Sequence, residues 1–75
     1  MATTEEILEL VRRERGEQID VYGFRELENR DWLALLMEEV GEVAKAIVED
    51  ADSVSLTAEL VQVAALAVAW VEDRN

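Results

Sequence analysis

From Leu60 to Val71 every residue except Gln62 is apolar, and at helical spacing this leaves no polar face. A helix that is apolar all round is buried on all sides. The chain has 75 residues, room for one domain over residues 1–75 and a core that buries roughly 60% of the unfolded surface. That is too little chain to surround such a helix, so self-association follows. Ala64, Ala65, Ala67 and Ala69 would let a partner helix approach closely. The expected fold is all-α, a helical hairpin plus an N-terminal helix, assembled into an oligomeric helical bundle.

The absence of Pro, with only 3 Gly, agrees with long helices and few turns. Thr3-Thr4-Glu5-Glu6 reads as a capping box with Thr3 as N-cap. Ile7, Leu8, Leu10 and Val11 then predict a short amphipathic helix that ends near Gly16. Arg12, Arg13 and Arg15 in its last turns suit either the helix dipole and nearby glutamates or contact with a phosphate or carboxylate. From Glu17 to Arg30 periodicity fails, which predicts a loop packed down by Ile19, Val21, Tyr22, Phe24 and Leu27. Those side chains either cap the open end of the core or cover a pocket. Asn29 or Asp31 is the expected cap of the second helix, which runs to about Glu49 or Asp50. A turn at Asp52–Ser55 leads into a third helix from about Leu56 to Glu72.

Several chemistries are excluded by what the chain lacks. With no Cys and no His, there is no disulfide framework, no thiolate or imidazole metal site, and no Ser-His or Cys-His catalysis. Any metal site must be all oxygen, which favours Mg²⁺ or Mn²⁺ over Zn²⁺. The net charge of −11 argues against nucleic-acid or anionic-membrane binding. The start Met-Ala-Thr-Thr-Glu-Glu lacks the basic and apolar regions of a signal peptide. The Leu60–Val71 run also falls short of the roughly 20 apolar residues of a membrane span. A soluble, cytoplasmic protein is expected.

The second helix carries Glu38, Glu39 and Glu42, an arc of about 100° at helical geometry. Like charges at these spacings repel. Leu35, Leu36, Val40, Val43, Ala44 and Ile47 form the apolar stripe, and Glu39 falls between Leu35 and Val43. Glu39 is thus directed where a partner helix must pack, and an unpaired charge is costly there. A divalent cation held by carboxylate oxygens relieves that cost. In the third helix, Glu59 and Gln62 interrupt the apolar surface at i,i+3. One reading is a hydrogen-bonded polar pair that fixes register. The other is that they face Glu39 and Glu42 across an antiparallel hairpin, the default geometry for so short a connection.

Glu39-x-x-Glu42 followed by Glu59-x-x-Gln62 resembles the E-x-x-E…E-x-x-D signature of the MazG-like, all-α nucleoside triphosphate pyrophosphohydrolases. The likeness extends over Glu38 to Ile47 and over Glu59 to Trp70, and resembles small phage and actinobacterial members in particular. It implies Mg²⁺-dependent hydrolysis of a nucleoside triphosphate to the monophosphate and pyrophosphate. The implied metal ligands are Glu39, Glu42, Glu59 and Gln62, with Glu38 as a base beside them or a further ligand. It also implies a homodimer or homotetramer with helices of two subunits around each site. Gln62 stands where the signature has Asp, a neutral carbonyl in place of a charge. Lys45, Arg12, Arg13 and Trp32 are the candidate contacts to substrate.

Two other readings compete with an enzyme. One is a catalytically weak or inactive MazG-like oligomeric module that keeps a vestigial acidic metal site, and Gln62 favours it. The other is an acidic helical mimic of DNA, which rests on net charge alone and does not account for acids set against apolar stripes.

Overall fold

The computed structural model describes residues 1–75 as three helices and no strands: α1 (Thr4–Tyr22), α2 (Asn29–Val48) and α3 (Ser53–Arg74). Helix α3 lies between the others. It packs on both α1 and α2, while no Cα of α1 comes within 8 Å of a Cα of α2. The all-α hairpin with an N-terminal helix is therefore present. The radius of gyration is 12.9 Å, against roughly 11 Å for a fully compact domain of this length. The single chain is an open bundle.

Helix α1 begins as its sequence dictates. Thr3 Oγ1 accepts the Glu6 amide at 3.2 Å, and Glu6 Oε1 accepts the Thr3 amide at 3.2 Å. Its end differs from expectation. The helix does not stop near Gly16 but continues through Glu17–Tyr22, so the loop is only Gly23–Glu28. An interior glycine costs about 1 kcal/mol relative to alanine, and the packing of half-buried Gln18 and Ile19 offsets it. The terminator is Gly23, whose φ of 70° suits a residue without Cβ. Its amide closes the helix on the Ile19 carbonyl at 2.7 Å.

Two other boundaries shift. Neither Asn29 nor Asp31 caps α2. Glu28 holds that position without a side-chain cap bond, because the Asn29 Oδ1 instead accepts from Trp70 Nε1 at 3.0 Å and from Arg74 at 2.9 Å. Helix α3 starts at Ser53 rather than Leu56. Its cap is Asp52, whose Oδ1 accepts the Ser55 amide at 2.8 Å. Between the helices, the Asp50 amide reaches the Ile47 carbonyl and the Ala51 amide reaches the Ala46 carbonyl. With Asp50 at φ 53°, this is a Schellman end that reverses the chain.

The core is small. Trp32 is 2% exposed and packs with Leu66 and Ala69, ringed by Leu27, Leu35, Leu36 and Trp70. Truncating a buried ring of this kind typically costs about 3–5 kcal/mol. Asp73 ties the end of α3 to this core. Its Oδ2 accepts Trp32 Nε1 at 2.6 Å, the Leu27 amide at 2.9 Å and Arg74 at 2.7 Å.

The apolar surface of α2 divides into two arcs. Trp32, Leu35, Leu36, Val43 and Ala46 are buried or half-buried, and Glu39 falls in the middle of that arc at 100° per residue. Val40, Ala44 and Ile47, expected in the stripe, are exposed, as are Leu33, Met37 and Val48. On α3, Ala65, Leu66 and Ala69 are buried, while Leu60, Val68 and Val71 are exposed. Within one chain, α3 is therefore covered on part of its circumference only. The complete helix is also longer than its apolar centre suggested. By length and composition alone, Ser53–Arg74 could cross a membrane.

Candidate functional site

The α1–α3–α2 arrangement leaves a cleft where α1 and α2 diverge across α3. It holds a cavity of about 460 Å³. Helix α1 lines it with Glu14, Glu17, Gln18, Val21 and Tyr22, and the following loop adds Arg25. Helix α2 contributes Leu35, Glu38 and Glu39, and α3 contributes Gln62 and Leu66. Glu14 and Gln18 are one turn apart on α1, with Val21 and Tyr22 in the next turn, so one face of the extended helix supplies a whole wall.

Glu39 is the electrostatic centre. Its carboxyl is held above its ordinary value of 4.5, first by burial, then by the charges of Glu59, Glu42, Glu38 and Glu14. Four carboxylates from all three helices thus act on one half-buried acid. Negative potential converges there, and hard all-oxygen donors are the chemistry that divalent Mg²⁺ or Mn²⁺ requires.

The candidate ligands divide between two adjoining spaces. Glu38, Glu39 and Gln62 line the large cavity. Glu42 and Glu59 line a second one of about 280 Å³ at the hairpin turn, together with Lys45, Glu49 and Ser55. In the side-chain conformations of the structure, no three acids gather closely enough to hold one ion. Donor chemistry and potential fit a divalent cation, but the single chain does not present a closed coordination shell. Glu59 and Gln62 are both half-buried, and no hydrogen bond joins them. The register-fixing pair is not what these residues form.

The candidate substrate contacts fare differently. Trp32 cannot stack on a base, because its ring is enclosed in the core and its indole N–H is given to Asp73. Arg12 and Arg13 pair with Glu9 at 2.6 and 3.4 Å and line no part of the acidic cavity. Such exposed pairs contribute about 0–1 kcal/mol, and their partner is a glutamate rather than an open anion site. Lys45 lies beside Glu42 and Glu59 at the smaller space.

Of the side chains expected to cap the core or cover a pocket, only Leu27 packs onto the core. Val21, Tyr22 and Phe24 are exposed, with Val21 and Tyr22 on the cavity wall. Glu14, Glu17, Gln18 and Arg25 were not among the candidate residues. Extending the helical period past Gly16 would have found the first three, since Glu14, Gln18 and Tyr22 share a face at i, i+4 and i+8. Arg25 carries no such signal, because its place depends on the turn at Gly23.

The loop that carries Arg25 is anchored at its far end. Asp73 accepts the Leu27 amide, and Arg74 donates to the Leu27 carbonyl. The Asp73 carboxyl is lowered from 3.8, chiefly by the Leu27 amide and then by the Trp32 indole, against the opposing effect of burial. Comparisons with family models, curated proteins and solved structures found no match to this chain.

Proposed function

We propose that the chain is a MazG-like nucleoside triphosphate pyrophosphohydrolase, which takes a nucleoside triphosphate and water to the monophosphate and pyrophosphate. The observation that carries this reading is the setting of Glu39. A half-buried carboxyl lies in the field of Glu38, Glu42 and Glu59, on a cavity it shares with Gln62. A carboxylate so placed costs stability unless a proton or a cation offsets its charge, and acids perturbed in this way cluster at functional sites.

Glu39, Glu42 and Glu59 would hold Mg²⁺ or Mn²⁺, with the Gln62 amide oxygen as a neutral fourth donor. Bound there, the ion would neutralise charge on the phosphates and acidify water. Glu42 and Glu59, which line the smaller space, would have to turn toward Glu39 to share an ion with it. Glu38 lines the same cavity and takes the proton of the attacking water as general base. Leu35 and Leu66 supply the apolar part of the cavity wall beside Glu38 and Glu39.

In this reading the active form is a homodimer or homotetramer. A second copy covers Leu33, Met37, Val40 and Ile47 of α2 with Val68 and Val71 of α3, all exposed in one chain. The protein is soluble and cytoplasmic, and α3 is the centre of a bundle rather than a membrane span, because Glu59 and Gln62 lie within it. A second reading, an inactive oligomeric module with a vestigial acidic site, is favoured by the lack of three converging acids and by Gln62. The two separate when ribo- and deoxynucleoside triphosphates are incubated with Mg²⁺ or Mn²⁺ and the products identified. The enzyme gives monophosphate and pyrophosphate in equal amounts, and the module gives neither.

A further inference from the structure

Arg25 is the one cation on a cavity wall that bears Glu14, Glu17, Glu38 and Glu39. An arginine among four acids would ordinarily be expected to pair with one of them. This one does not. The ion pairs of the chain use Arg12, Arg13, Arg15, Arg30 and Arg74, and Arg25 forms none within 4.0 Å. It also makes no hydrogen bond to the protein. Its guanidinium is seated over the Tyr22 ring instead, 4.3 Å from the centroid, a contact that holds the group and leaves its N–H donors without an acceptor on the protein.

The backbone sets this position. Gly23 ends α1 with φ 70° and turns the chain so that Arg25 returns over the last residue of the helix it has just left. At the other end of the loop, the Leu27 amide is fixed on Asp73 at 2.9 Å. A half-buried arginine supported by an aromatic ring, on a cavity wall that also bears carboxylates, offers its N–H donors to an anion such as phosphate. The planar fork matches two phosphate oxygens at once. A polyphosphate cannot approach the glutamates without a divalent cation, whereas its far end meets Arg25 directly.

We infer that Arg25, supported by Tyr22, receives the far phosphates of the polyphosphate chain and selects long polyphosphates over a single phosphate. The inference rests on the pyrophosphohydrolase reading for its substrate class but not for its test. The probe is inorganic tripolyphosphate with Mg²⁺, titrated calorimetrically against orthophosphate with Mg²⁺, which removes any contribution from a base. Arg25→Gln should weaken tripolyphosphate binding at least tenfold and leave orthophosphate binding unchanged. Arg25→Lys should recover part of the loss, because it restores charge but not the fork. Tyr22→Leu should give an intermediate loss. Melting temperatures without ligand should match that of the wild type, which separates a phosphate contact from a structural role.

Equal tripolyphosphate affinity in wild type and Arg25→Gln overturns the inference, as does no binding by the wild type. Wild-type binding that depends on Arg25, without cleavage of any nucleoside triphosphate, leaves the inference standing and removes the enzyme. Cleavage with a KM unchanged in Arg25→Gln does the reverse.

Discussion

Glu59 on α3 bears on the carboxyl of Glu39 on α2 across the hairpin. After burial, the charge of Glu59 is the strongest influence that raises the Glu39 carboxyl. The two come from sequence positions that the Asp50 turn folds back on one another, and the repulsion is built into the native state. It gives the site a stability signature that can be measured without any substrate.

A carboxyl with a raised native value contributes its stabilisation fully below the ordinary value of 4.5 and loses it as pH rises through the raised value. Glu39→Gln should therefore raise the melting temperature at pH 7 in the absence of divalent cations. The gain should shrink as pH falls into the carboxylate range. Millimolar Mg²⁺ should raise the melting temperature of the wild type and should leave Glu39→Gln unmoved. An equal rise in both proteins, matched by Na⁺ at the same ionic strength, would mean that only screening is at work.

Asp73 behaves in the opposite sense. Its carboxyl is lowered from 3.8 by the Leu27 amide and the Trp32 indole. Its contribution is present above that value and lost as pH falls through the lowered one. Asp73→Asn keeps the size of the side chain but weakens the acceptor, and should lower the melting temperature at pH 7 by several degrees. The deficit should narrow as pH falls through the lowered value, where the wild type itself becomes protonated. A variant as stable as the wild type at pH 7 would show that Asp73 does not hold the α1–α2 loop.

The exposed apolar arcs of α2 and α3 predict assembly. The protein should be at least dimeric at micromolar concentration, and Met37→Glu with Val68→Glu should release a folded monomer. Light scattering that reports a stable wild-type monomer of 8.5 kDa would remove the shared-bundle account.

The helices and the facing of Glu39 toward α3 were legible in the sequence because both depend on local periodicity. The capping box at Thr3 was legible for the same reason. Boundaries set by competition were not. Gly16 and Gly23 look alike as letters, and only the packing of Gln18 and Ile19 shows which of them ends α1. Asn29 is a good cap by residue type, but Trp70 and Arg74, distant in sequence, take its side chain. The division of the apolar stripe of α2 into a covered and an open arc depends on where α3 lies. Trp32, a candidate substrate contact by residue type, lies in the core, where Asp73, distant in sequence, takes its N–H. Glu38 and Glu39 of the cavity wall could be found from their spacing, whereas Glu14 and Glu17 needed the true end of α1 and Arg25 depends on a turn that spacing does not encode.

The most direct measurement of the central claim is the rate of pyrophosphate release by wild type beside Glu42→Gln and Glu59→Gln, with Mg²⁺ and a panel of ribo- and deoxynucleoside triphosphates. In the proposed mechanism each glutamate holds oxygen where charge develops on the phosphates, so each variant should remain folded and oligomeric yet lose on the order of 100-fold in rate. Gln62→Asp should tighten Mg²⁺ binding without abolishing turnover. An ordered, Mg²⁺-loaded wild-type oligomer that leaves every triphosphate intact would contradict the account.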